Sequence, residues 1–121
     1  MSSKRLRRLR QHAYEKQDGR CFYCSYLMWL TGSDDFARSH RLPPRLARYL
    51  QCTAEHLMAR RDDGSDTVTN VVAACLWCNR MRHQGRAKKA PEALIYKAQV
   101  SRLVALRRWH PLASSGRGVS V

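Results

Sequence analysis

Thr53-Ala54-Glu55-His56-Leu57 and Asn70-Val71-Val72-Ala73-Ala74-Cys75-Leu76-Trp77-Cys78-Asn79 are the two stretches whose reading decides the fold. Residues 51–58 read as a strand that runs into the polar loop Arg60-Arg61-Asp62-Asp63-Gly64-Ser65-Asp66. Residues 67–74, rich in valine and threonine, read as the strand that returns. From Leu76 the chain turns basic and helical, and Gly85 closes the segment. The order is therefore strand, loop, strand, short helix. Successive side chains on a strand point to opposite faces, so Glu55 and His56 can serve one site only if the strand ends or twists there.

Two C-x-x-C pairs frame this unit, Cys21 with Cys24 and Cys75 with Cys78. Four thiolates complete a tetrahedral structural zinc site and leave no position open for substrate. The total of five cysteines is odd, which sits badly with a fully paired disulfide framework. Ser25 and Asn79 follow the two pairs, so neither reads C-x-x-C-H and c-type haem attachment is out. A thioredoxin-like redox pair would need a βαβ pattern, which the chain lacks. The 50 residues between Cys24 and Cys75 far exceed the gap of a simple zinc ribbon, so a folded insert lies inside the loop that zinc closes. Cys52 is left over and reads as a small buried hydrophobe.

Further outward, residues 4–17 place Leu6, Leu9 and Ala13 at helical spacing, with Lys4, Arg5, Arg7, Arg8 and Arg10 on the other faces. Five cations in seven residues point to phosphate contact, the alternative being a merely solvated face. Residues 26–30 are apolar and fit either a short strand or a helical turn, and residues 31–40 read as a loop. Pro43-Pro44 opens a short helical segment carrying Leu46 and Leu50. Pro91 starts a longer helix, about 91–109, with Tyr96, Val100, Leu103 and Val104 as its apolar stripe. The remainder, 111–121, is expected to be a disordered tail.

The chain of 121 residues carries 23 Lys and Arg against 9 Asp and Glu, a formal charge of +14 that argues for a polyanionic partner. Hydrophobic residues, at 44%, suffice for one small core that a metal staple would help to hold. The longest apolar run, Val71 to Cys78, is eight residues, against roughly 20 needed to span a bilayer, and no apolar h-region follows the basic start. No membrane segment or signal peptide is expected, and the location expected is the cytoplasm.

With these residues in place, the chain resembles the HNH endonucleases of the ββα-metal, or His-Me finger, fold. Glu55-His56 corresponds to that family's acidic-His pair, Asn70 to its middle Asn, and Asn79, directly after the second cysteine pair, to its third signature residue. The resemblance covers about residues 5–88, and the helix from Pro91 lies beyond it. It implies an α+β fold, a small ββα-metal domain stapled by a four-cysteine zinc site and flanked by N- and C-terminal helices, all within one domain over 1–110. It implies a metal-dependent DNA endonuclease that leaves a 5′-phosphate. The family's acidic residue is usually Asp, and Glu55 is longer by one methylene. That difference favours the alternative, a non-catalytic zinc-stapled nucleic-acid-binding module on the same scaffold.

The residue chemistry leads the same way. Histidine as a residue type can be unprotonated yet basic near neutral pH, as a general base for water must be, which makes His56 the candidate base. The oxygens of Glu55 and Asn79 suit a hard divalent cation, Mg²⁺, Mn²⁺ or Ni²⁺, that neutralises the leaving oxygen. His83, four residues after Asn79 on the same helix face, is a further candidate ligand by similarity to the colicin-type nucleases; the alternative is a phosphate-contacting or solvent-facing histidine. Asn70 reads as structural, pinning the loop so that His56 is oriented. Arg60, Arg61, Arg80, Arg82 and Arg86 join Arg5, Arg7, Arg8 and Arg10 as candidate phosphate contacts. Trp77 reads as a core residue. The partner expected is DNA, double-stranded by preference. RNA and the oligomeric state are left open.

Overall fold

A computed structural model of the chain describes residues 3–59, 64–84 and 89–115, with the side chains of 114 and 115 left out. Helix α1 (Lys4–Lys16) begins at Ser3, whose Oγ accepts from the Leu6 N–H at 3.0 Å. It ends in a turn where Asp18 and Gly19 both take positive φ. A Cβ on Gly19 would also crowd the Tyr14 hydroxyl at 3.2 Å and its ring at 3.3 Å, so glycine is favoured there on two counts. The turn leads into a tight hairpin over residues 20–27, bridged between Arg20 and Leu27, which carries Cys21 and Cys24. Residues 26–30 thus form neither a full strand nor a helical turn but two isolated bridges, the second pairing Trp29 with Gln51.

Residues 31–40, expected as a loop, contain helix α2 (Ser33–Ser39). Gly32 in the left-handed region is its N-cap, and Asp34 and Asp35 fill the first turn. Glycine and aspartate are turn formers, but in a first turn acidic residues also complement the helix dipole. Helix α3 (Pro44–Ala47) continues as a 3₁₀ turn over Arg48–Leu50 and buries Leu46, Ala47 and Leu50, as expected from Pro43-Pro44.

Strand β1 (Cys52–His56) pairs antiparallel with β2 (Val71–Cys75), from Cys52 opposite Cys75 to His56 opposite Val71. The returning strand starts four residues later than the valine and threonine content suggests, because the amides of Asn70 and Val71 both bond back to Thr67 in a turn. Helix α4 (Leu76–His83) follows β2 without a break, and Cys75 is its N-cap. Helix α1 packs on both strands and is tied to β2 by Gln17. Its side-chain amide donates to the Ala73 carbonyl and accepts from the Ala73 N–H, both at 2.9 Å, like a residue of a third strand.

Helix α5 (Ala93–Ala105) is capped by Glu92, whose Oε1 accepts from the Leu94 and Ile95 amides, and it buries Ala93, Tyr96 and Val100. The expected disorder from 111 onward does not hold for its first residues: Pro111–Ser115 forms a 3₁₀ turn and Leu112 is 1% exposed, because Leu112 completes the core. His110 is buried against Tyr26 and Trp77, and burial drives its ring down to about 4, so it packs as a neutral ring. Trp77 is partly buried and packs against the core, between Tyr49 and Trp109. The result is an α+β fold of a two-stranded antiparallel sheet and five α-helices among the described residues. No helix among them is long and apolar enough to cross a membrane.

Candidate active site and zinc centre

Cys21 and Cys24 on the hairpin meet Cys75 and Cys78 at the junction of β2 and α4, and all four sulfurs lie within 4.8 Å of one another. All are buried and none is in a disulfide. The Cys24 and Cys75 sulfurs are 3.9 Å apart, close to the ~3.8 Å that two thiolates bound to one tetrahedral zinc at ~2.3 Å would show. Backbone amides of Tyr23 and Cys75 point at the Cys21 sulfur, and that of Cys78 at the Cys75 sulfur, at 3.3–3.4 Å. The Trp109 indole N–H reaches the Cys78 sulfur at 3.3 Å. Burial opposes charge at Cys21, yet hydrogen bonds from Cys24, Cys75 and Cys78 outweigh it and hold that thiol well below its usual range. Burial, then the bonds to Cys21 and Cys24, push Cys78 well up, and Cys75 is raised in the same way. The donor set can hold a zinc, which would supply the positive charge that four buried sulfurs lack. Cys52 stands apart from the cluster, and burial pushes its thiol up to about 12.

On the hairpin, Thr53 and Glu55 turn toward α4. The Asn79 side-chain amide donates to Thr53 Oγ1 at 3.0 Å and to the Ala54 carbonyl at 3.4 Å. Glu55, 2% exposed, lies one pleat further along. Its Oε2 accepts from the Tyr23 hydroxyl and from Arg82 Nη1, both at 2.9 Å, and its Oε1 lies 3.1 Å from His83 Nε2. Burial, then the Glu55 charge, push the Tyr23 phenol far above its usual range, so it stays a donor.

Arg82 is corrected from its expected role as a phosphate contact. Its guanidinium is 2% exposed and donates to Glu55, Tyr23 and the carbonyls of His56, Leu57 and Pro91. It sits on the inner side of α4, where its five donors hold strand, helix and the approach to α5 together. Arg80 on the outer side is exposed, as are Arg5, Arg7 and Arg8 on α1, whereas Arg10 is half-buried. Arg60, Arg61 and Arg86 lie outside the described residues.

His56 is the last residue of β1, where the strand expected to end or twist does end. Its ring turns away from Glu55 toward the loop, and Nε2 lies 2.7 Å from Asp66 Oδ1. Asn70 pins that loop: its amide donates to the Met58 and Ser65 carbonyls at 3.0 and 2.9 Å, and its Oδ1 accepts from the Met58 amide at 2.9 Å. Glu55 and His83 are thus in contact, Asn79 touches the same strand one pleat away, and His56 stands at the strand end with Asp66. Sequence reasoning passed over Tyr23 and Asp66. Tyr23 sits inside a C-x-x-C pair, where the cysteines draw the reading, and Asp66 reads as one of several turn-forming aspartates.

The pair Glu55 Oε1 and His83 Nε2 also fits a divalent cation. Two neighbouring ligands of an octahedral ion at ~2.1 Å lie about 3.0 Å apart, and the observed separation is 3.1 Å. Asn79 Oδ1 could supply a third donor from the same helix face. These residues could hold a cation that is distinct from the zinc of the four cysteines.

No curated protein and no solved structure matches the chain. The model of the HNH endonuclease family matches residues 45–85, a span that takes in most of α3, both strands, the loop between them and α4. The chain is therefore similar to the HNH endonuclease family over residues 45–85.

Proposed function

We propose that the protein is a metal-dependent DNA endonuclease that hydrolyses phosphodiester bonds with a water activated by His56. The observation that carries this reading is the Glu55–His83 pair at 3.1 Å, beside the strand end that presents His56, inside the span matching HNH endonucleases. The His56 ring accepts a proton from a water as the water oxygen attacks phosphorus; the bond to O3′ breaks and O3′ takes a proton from solvent, leaving a 5′-phosphate and a 3′-hydroxyl. A bound Mg²⁺, Mn²⁺ or Ni²⁺ would neutralise charge on the leaving oxygen. Glu55 Oε1, His83 and Asn79 are the residues to hold it, while zinc on Cys21, Cys24, Cys75 and Cys78 stays structural. Asn70 positions the loop against His56. Arg5, Arg7, Arg8 and Arg10 of α1, with Arg80 of α4, contact phosphates of a duplex.

One observation favours the second reading, a binding module without catalysis: the Glu55 Oε2 is already engaged by Tyr23 and by the buried Arg82. The first reading needs only Oε1. Incubation of the zinc-loaded protein with supercoiled plasmid and Mg²⁺, Mn²⁺ or Ni²⁺ separates the two. Nicking that requires added cation and stops with EDTA supports the endonuclease; retained plasmid binding without cleavage under every cation supports the module.

A further inference from the structure

We infer that Asp66 is a positioning residue for His56, holding its ring in the tautomer that leaves Nδ1 free to take a proton. This rests on the reading of His56 as a general base. The contact is short, 2.7 Å from His56 Nε2 to Asp66 Oδ1, with the two side chains 13% and 26% exposed. A carboxylate oxygen only accepts hydrogen bonds, so Nε2 carries the hydrogen, and in the neutral ring Nδ1 then carries the lone pair. A base held by a third group is the arrangement by which hydrolytic sites fix a histidine's orientation and tautomer.

The carboxylate is itself held. Asn70 bonds the carbonyl of Ser65, the residue before Asp66, and both backbone groups of Met58, two residues after His56. The Leu57 amide donates to the Asn70 carbonyl at 2.8 Å, extending the ladder past the strand end. From α1, Arg5 Nε donates to the Asp66 carbonyl at 3.0 Å. His56 and Asp66 are therefore fixed from three sides, and Asn70 acts on His56 through Asp66 as well as through the loop. The same bonds connect the basic helix α1 to the histidine through Arg5 and Asp66.

The test uses the full-length zinc-loaded protein, its Asp66→Asn and Asp66→Glu variants, and His56→Ala as reference. In Asp66→Asn the amide can donate to Nε2 and so favour the other tautomer. Plasmid nicking should fall about 10²-fold in kcat, with KM, zinc content and melting temperature unchanged. Asp66→Glu, which restores a carboxylate, should recover at least tenfold of that loss. In ¹⁵N-histidine NMR spectra at a pH where the ring is neutral, His56 should be the Nε2–H tautomer in the parent protein and a mixture in Asp66→Asn. Wild-type kcat in Asp66→Asn, or an Nδ1–H ring in the parent, overturns the inference. Loss of activity together with folding or DNA affinity also overturns it, showing that Asp66 merely staples the loop. If the parent protein cuts under no cation, the endonuclease reading fails, and the NMR result alone still decides whether Asp66 sets the tautomer.

Discussion

Arg82 shows how far one side chain's role depends on which face of a short helix it occupies. Its sequence neighbours Arg80 and His83 share its charge or its reach, yet Arg80 is exposed and Arg82 is sealed under α4 against Glu55. Removing one partner of a buried ion pair leaves the other charge uncompensated, which typically costs about 3–5 kcal/mol. Arg82→Met should therefore lower stability by about that amount in urea denaturation, and Glu55→Gln with Arg82→Met should recover part of it. Because Arg82 touches no solvent-facing phosphate path, the salt dependence of DNA binding by the folded variant should be unchanged. A steeply altered salt dependence would return Arg82 to the role its charge suggests. At the same scale, Cys52 shows a cysteine read correctly from number alone: with four thiols already sufficient for zinc, the fifth is buried apart from them.

At the scale of elements, the hairpin and α4 were legible because their signals are local: β-rich strands around a polar loop, then a basic segment that starts at a cysteine pair. The four-cysteine cluster was legible because spacing and thiol chemistry leave few alternatives. Helix α2 was not, since Gly32, Asp34 and Asp35 promote turns and helix starts alike, and only packing of Ala37 into the core decides between them. The contacts of Asp66 and Tyr23 were not legible either, because each depends on a long-range fold placing a loop or a cysteine hairpin against β1. The role of the C-terminal segment was hidden for the same reason. Trp109 lies 31 residues beyond Cys78, yet its indole N–H points at that sulfur. Hydrogen bonds to metal ligands typically change metal affinity about 10- to 100-fold. Trp109→Phe keeps a ring in the aromatic cluster and removes only the donor, so zinc affinity in chelator competition should fall by roughly tenfold while the zinc-loaded fold is retained. Unchanged affinity would show that the ring packs near the zinc centre without supporting it.

For the whole molecule, the dominant feature is charge: +14 on 121 residues, with α1 carrying five cations in its first seven positions. Each phosphate neutralised releases condensed counterions, so affinity for duplex DNA should fall steeply between about 50 and 200 mM salt. Replacing Arg5, Arg7, Arg8 and Arg10 together by glutamine should flatten that dependence; an unaltered slope would mean that α1 faces away from the DNA. Binding alone does not distinguish a nuclease from a module that has lost its chemistry, and the four-cysteine cluster serves both equally. The most direct measurement is plasmid nicking by the parent protein and His56→Ala side by side, both loaded with zinc, in Mg²⁺ or Mn²⁺ and free of contaminating nuclease. The His56 side chain lies outside both the zinc centre and the Glu55–Arg82 contact, so the variant should keep zinc, melting temperature and DNA affinity. Its nicking rate should fall about 10²- to 10⁴-fold, the usual loss for a general base. Nicking by His56→Ala at the parent rate would contradict the account.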